Sequence, residues 1–247
     1  ADGVATITLY SQANRNALSA QLLVELHVAL DRAIHPDVRI IVLTHAGSTF
    51  CSGIDLKERR SAHFDSAPMA RAFDRLMHCD QVTIAAVNGA CAGIGMVQAL
   101  MCDVRFAAAG AKFTTAFSRR GLIAEYGSSW VLPRLVGTAR ALDVLMSGRV
   151  FLAEEAAEMG MVNKVLPADE LVPYAIAYAA DLAANCSPTS MAVMKQQVYA
   201  DQERGLIAAS DDAVDLMKAS LRRSDFKEGV ASFLEKRLPN FTPVQTS

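Results

Sequence analysis

The chain has 247 residues, of which 52% are hydrophobic and 20% charged, and its formal net charge is -2. That length buries a large core, as one extended domain or a domain with a lid, and the small charge gives no electrostatic case for binding nucleic acid or an anionic membrane. No apolar run reaches the roughly 18–20 residues that a spanning helix needs, and five cysteines, odd in number and not closely paired, point to reduced thiols in a cytoplasmic setting.

Val4 to Leu9 alternates and predicts a strand, so the first residues read as fold rather than as a signal peptide. A polar loop covers Ser11 to Asn16. Ser19 suits the cap of a helix over Ala20 to Ile34, with Leu22, Leu23, Leu26 and Leu30 on one face and Pro36 helping to end it. Ile40 to Leu43 predicts a buried strand and His45 to Thr49 a polar turn, followed by Phe50-Cys51-Ser52-Gly53-Ile54-Asp55-Leu56. Asp55 is placed to cap the next helix. Ser61 to Pro68 is polar and uneven and predicts a loop; His63 within it is either exposed or a base. Ala70 to Cys79 is an amphipathic helix with Phe73, Leu76 and Met77 on its apolar side.

Thr83 to Asp103 has the order strand, tight turn, helix. The apolar run Ile84 to Val87 stops at Asn88-Gly89; small residues lead to Gly93 and Gly95, and an apolar helix follows. Glycines here either free the backbone to approach a ligand or let helix and strand pack closely. The first amides of such a helix lack intrahelical acceptors and can hold an anion or a carbonyl oxygen becoming an oxyanion.

Val104 to Ala107 and Lys112 to Thr114 suggest short strands. Helices are expected over Gly137 to Met146, Ala153 to Met159 with Gly160 as its stop, Leu171 to Ala184, Pro188 to Ala200, Ser210 to Arg222 and Lys227 to Lys236, with a short strand over Val162 to Leu166. Strands alternating with helices make an α/β fold. Cys51, Cys91 and Cys102 sit in apolar contexts as small core residues, and no cysteine pairs with histidine at metal spacing, so no metal site is expected.

Together, FCSGIDLKE and AVNGACAGIGMVQALMCD closely resemble the two signature regions of the enoyl-CoA hydratase/isomerase (crotonase) superfamily, and the resemblance continues through GLIAEYGSSWVLPRLVG, SGRVFLAEEAAEMGMVNKV and FKEGVASFLEKRLPNF. It implies a spiral of ββα turns over residues 1–188 and a helical C-terminal region, 189–247, that packs on the core and on a neighbouring subunit in a homotrimer or dimer of trimers. It also implies an acyl-CoA thioester substrate, with coenzyme A entering as part of the substrate and no separate cofactor. The backbone amides matching the family's oxyanion donors belong to Ile54 and Ile94. Ser52, Gly53, Asp55, Leu56 and Gly93 fall in the same two turns. The segment Asn16-Ala17-Leu18 resembles the one that touches the adenine end of coenzyme A, which puts Ala17 at that end, although a plain helix start explains it equally. Lys57 near the CoA phosphates, and Phe233 and Lys236 near a neighbour's CoA site, compete with ordinary solvation and packing.

The familiar hydratases carry two glutamates where this chain has Val97 and Phe117, neither of which can transfer a proton; both are expected to line the acyl pocket as apolar walls. A different carboxylate is available in Gly121-Leu122-Ile123-Ala124-Glu125-Tyr126-Gly127. That segment resembles a subset in which an Asp or Glu at this place is the proton-shuttling base, as in some peroxisomal-type enoyl-CoA isomerases and ring-opening phenylacetyl-CoA isomerases. In 4-chlorobenzoyl-CoA dehalogenases an Asp near this place is the nucleophile. Apolar neighbours (Phe117, Ile123, Trp130) would raise the pKa of Glu125 toward a value suited to taking a proton next to a thioester; the competing role is a helix cap. Tyr126 is a weaker candidate for bonding substrate or water. Three activities stay open: hydratase or isomerase chemistry, thioester or carbon–carbon hydrolysis directed by Glu125, and non-catalytic CoA binding.

Overall fold

After a first single strand, strands come in pairs along this chain, and each pair sends one strand to each of two sheets. The computed structural model describes residues 2–59 and 67–244. After β1 (Val4–Leu9) and α1 (Ala20–Ala33) comes a first unit of β2 (Ile40–His45), β3 (Thr49–Cys51), α2 (Leu56–Arg59) and α3 (Ala67–His78). The second is β4 (Val82–Val87), β5 (Ala90–Ala92) and α4 (Ile94–Leu100). The third is β6 (Val104–Ala108), β7 (Lys112–Thr114), a 3-10 turn at Ser118–Arg120, α5 (Ser128–Val136) and α6 (Thr138–Ser147). Then β8 (Phe151–Leu152), α7 (Ala153–Glu158) and β9 (Lys164–Leu166) lead to the helices α8 (Ala168–Asn185), α9 (Pro188–Asp201), α10 (Leu206–Ser220) and α11 (Ser224–Glu235). One sheet runs β1-β2-β4-β6-β9, parallel throughout; the other runs β3-β5-β7-β8, with only β7 and β8 antiparallel. This is the spiral of ββα turns that the resemblance implies.

Local sequence explains much of it. All six residues of β2 and five of the six in β4 are buried, as parallel strands covered on both faces require; α8 packs across β1, β2, β4, β6 and β9. Ser19 Oγ accepts the amide of Leu22 at 3.1 Å, and Leu22, Leu23, Leu26 and Leu30 are buried, as their spacing predicts. Asp55 Oδ1 accepts the amide of Lys57 at 2.8 Å, the capping role expected of it. Among the described residues no helix is long and apolar enough to cross a membrane, no group of three or more His, Cys, Asp and Glu could hold a metal, and all five cysteines are free.

A buried polar cluster fastens α9 to the core. Asp103 accepts the amide and hydroxyl of Thr83 (2.8 and 3.0 Å), the ammonium of Lys195 (2.9 Å) and the hydroxyl of Tyr199 (2.9 Å). Lys195 also donates to the carbonyls of Leu76 and Gln81, at 2.7 and 2.9 Å. With every member hydrogen-bonded, the cluster fixes where this helix docks.

The polar turn expected from His45 begins one residue later. His45 ends β2, is 3% exposed, and lies 3.9 Å from the ring of Phe50, centroid to centroid. Neither ring nitrogen has a hydrogen-bond partner, and burial holds its pKa down at about 3. The neutral ring is therefore the form that fits. Its contribution is complete above the unfolded-state value of about 6.5 and is lost as pH falls from there toward the folded-state value, by at most about 1.4 kcal/mol per pH unit. Replacing the ring with a non-titrating apolar side chain, His45→Leu, should flatten the loss of stability between pH 6.5 and 5. Urea melts at both pH values check this, and equal acid losses in variant and wild type would contradict it.

Candidate active site

The two glycine turns lie against each other. Gly53 holds φ 101 and Gly93 φ 53 with ψ -126, backbone conformations that side chains oppose. A Cβ placed on Gly93 would sit 4.0 Å from the Cα of Gly53. The amide of Gly93 donates to the carbonyl of Thr114 at 2.9 Å, fastening the second turn to β7. Gly95 has a different duty: a Cβ there would come within 2.5 Å of the Cβ of Cys51, so it lets α4 lie on β3. Gly93 thus takes a backbone conformation that favours glycine, and Gly95 makes the close helix–strand contact.

Backbone pairing aims the next residue. The amide of Leu18 donates to the carbonyl of Gly53 (2.8 Å), and the amide of Asp55 donates to the carbonyl of Leu18 (3.0 Å). In a parallel bridge, bonds from the residues on either side turn the middle amide the other way. Ile54 is that middle residue, and its amide has no acceptor among the described residues. Ile94 opens α4, so its amide has no intrahelical acceptor and lies at the positive end of the helix. Both residues line one cavity of about 100 Å³ with Ser52, Gly53, Leu56, Ala92, Gly93, Thr114, Thr115, Ala116, Phe117, Arg120, Leu122 and Glu125. Backbone donors facing such a space can bind an oxygen that gains negative charge.

Glu125 is half-buried on the same cavity. Its carbonyl accepts the amide of Ser128 at 3.0 Å, closing a turn in which Tyr126 and Gly127 hold φ 49 and 77. Gly127 is the residue before α5. The company of Glu125 differs from what its sequence neighbours suggest. Phe117 is beside it in the cavity, but Ile123 is 81% exposed and Trp130 lines other cavities. The positive-φ pair turns the chain between them. Leu122, Ile54 and Leu56 supply the apolar wall instead, and Arg120, whose Nη1 donates to the carbonyl of Ala116 at 3.2 Å, adds a cation.

Other expected residues lie apart. Val97 is 1% exposed in the hydrophobic core and is not among the cavity's lining residues. Tyr126 lines a separate cavity of about 670 Å³ with Met77, Met101, Trp130 and Tyr199, its ring edge-on to Phe73 at 5.8 Å. Ala17 is buried in the loop that clasps Gly53, Asp55 is buried, and Lys57 is exposed. Phe233, 82% exposed, lines a groove with Met191, Phe226 and Leu234, and Lys236 ends α11. His63 lies outside the described residues. Burial pushes the thiol of Cys51 up to about 12 and raises that of Cys91 well above its usual range, so neither is a thiolate nucleophile. Thr114, Thr115, Ala116 and Arg120 escaped sequence reasoning. The pair Arg119-Arg120 just before Gly121 was the one available signal.

Residues 1–244 match the Enoyl-CoA hydratase/isomerase family. A protein of Rhodobacter capsulatus named "Probable enoyl-CoA hydratase" is 38% identical over 98% of this chain and 95% of its own length. The 1,2-epoxyphenylacetyl-CoA isomerase of Escherichia coli K12 is 35% identical over 97% of this chain and 95% of its own. The solved structure of an enoyl-CoA hydratase from Bacillus anthracis superposes with a TM-score of 0.92 at 30% identity, covering 97% of this chain and 95% of the other. The chain belongs to the enoyl-CoA hydratase/isomerase family, with the crotonase fold. It is an enzyme of the general acyl-CoA hydratase/isomerase type.

Proposed function

We propose that this enzyme moves a proton next to the thioester carbonyl of an acyl-CoA, with isomerisation of an enoyl-CoA as its reaction. The observation that carries this reading is one cavity lined by both glycine turns and Glu125, in a chain whose usual glutamate positions hold Val97 and Phe117. The amides of Ile54 and Ile94 donate to the thioester oxygen and stabilise the enolate that forms when a proton leaves carbon. Glu125 takes that proton and returns it at another carbon. Coenzyme A comes with the substrate: the backbone at Ala17 meets its adenine end, Lys57 lies near its phosphates, and Phe233 and Lys236 of a neighbouring copy reach it. The name of the Escherichia coli relative, an isomerase acting on an acyl-CoA, favours this chemistry. The hydratase names of the other relatives favour a second reading, in which Glu125 alone directs water onto the double bond. Thioester hydrolysis is a third outcome. A panel of enoyl-, hydroxyacyl- and aryl-CoA thioesters, followed by mass and chromatography, separates them. The proposal expects an isomer of unchanged mass; gain of a water or release of free CoA as the main product would refute it.

The assembly belongs to the same reading. Leu206, Ile207, Phe233, Leu234 and Leu238 are each at least 70% exposed, an apolar surface that calls for a partner. The helical region 189–247 accordingly packs on its own core, residues 1–188, and on a second copy in a cytoplasmic trimer or dimer of trimers. Light scattering at micromolar concentration should give a trimeric or hexameric mass, and a monomer would refute it.

A further inference from the structure

We infer that Asn16 is a positioning residue that aims the amide of Ile54 through its side chain. The inference rests on the reading of that amide as an oxyanion donor. Asn16 is 1% exposed and holds φ 51, next to Arg15 at φ 52. Its side chain uses both donors and accepts once: Nδ2 donates to the carbonyls of Ala46 (2.8 Å) and Thr49 (2.6 Å), and Oδ1 accepts the amide of Ser11 (2.8 Å). Ala46 follows β2 and Thr49 opens β3, the strand that runs straight into Ser52 and Gly53. One buried amide thus joins the loop over residues 11–18 to both ends of the β2–β3 connection.

What that loop does is set Ile54. The amide of Ser52 donates to the carbonyl of Arg15 (3.2 Å), and Leu18 brackets Ile54 through its bonds to Gly53 and Asp55. These three bonds decide which way the Ile54 amide points. None of them involves a side chain; beside them the side-chain amide of Asn14 donates to the carboxylate of Asp55, and the rest of the hold on the loop falls to Asn16. Asn16 holds it at its middle, and the carbonyls of Ala46 and Thr49, both half-buried residues, gain their side-chain donors from it. Asparagine also tolerates the left-handed backbone that this position requires.

Two variants separate the side chain from the backbone. Asn16→Gly adopts the same φ without strain and makes none of the three bonds. Asn16→Asp keeps the size and the acceptor but cannot donate. Each is mixed with 4-(dimethylamino)cinnamoyl-CoA, whose absorption moves to longer wavelength when donors polarise its thioester carbonyl. Turnover is measured with a CoA thioester and with the corresponding N-acetylcysteamine thioester, which lacks the adenine end. The wild type should produce the shift. Both variants should bind the probe with a diminished shift and lose on the order of 10²-fold in turnover, the scale of an ångström-size misplacement, equally on both thioesters. A wild-type shift preserved in both folded variants would overturn the role of Asn16 alone. So would a loss confined to the CoA thioester, which would assign Asn16 to adenine binding, or failure of both variants to fold, which would make it a stability residue. A wild type without the shift would overturn the oxyanion reading and this inference together.

Discussion

Glu125→Gln should lower turnover by about 10²–10⁴, the usual worth of general acid–base catalysis, while acyl-CoA binding largely survives. Glutamine keeps the shape and hydrogen-bonding reach of glutamate but has no basicity. Among the described residues that line the cavity no other carboxylate or imidazole stands in for it: Phe117 and Leu122 are apolar, Ser52 and the threonines are poor bases, and the guanidinium of Arg120 offers donors only. Val97, at the other usual glutamate position, is buried in the core. Steady-state rates, with binding measured separately by calorimetry, check the prediction. A variant that turns over like wild type would leave Glu125 a turn residue and move the chemistry to a group such as Tyr126 or His63.

Gly93→Pro should abolish useful turnover, with a loss of about 10²–10³ from the Ile94 donor alone. Proline needs φ near -65°, and Gly93 holds φ 53. The ring also removes the amide that donates to Thr114, so the turn comes away from β7 and Ile94 loses its aim. The rate measurement is paired with circular dichroism and a thermal melt, because the same bond supports the fold. Near-wild-type turnover by a folded variant would rule out this geometry for the donors.

These residues are legible in the sequence to different depths, for physical reasons. Ser19 and the leucines of α1 were legible because capping and helical spacing are local. The doubled sheet was less so: β3 and β5 have three residues each, too few to show a period, and they exist through pairing across the chain. His45 read as part of a turn because a histidine near glycine and serine is usually exposed; its burial comes with the ring of Phe50 and with β1, whose Leu9 pairs with it. The neighbours of Glu125 along the chain differ from its neighbours in space, because the left-handed pair Tyr126-Gly127 sends Trp130 elsewhere. Ile54 and Ile94 came from motif resemblance, since a backbone donor leaves no trace in its own side chain. The part played by Asn16 was invisible, because its partners Ala46 and Thr49 lie 30 and 33 residues away.

An enolate that forms in this cavity and gives its proton to Glu125 exposes the substrate's carbon to exchange with solvent. Incubation of an enoyl-CoA with the enzyme in deuterated water, followed by mass spectrometry of the recovered thioester, tests it most directly. Deuterium is expected at the α or γ carbon with the wild type and none with Glu125→Gln. Label that persists undiminished in Glu125→Gln, or a wild type that neither labels the thioester nor isomerises it, would contradict that role.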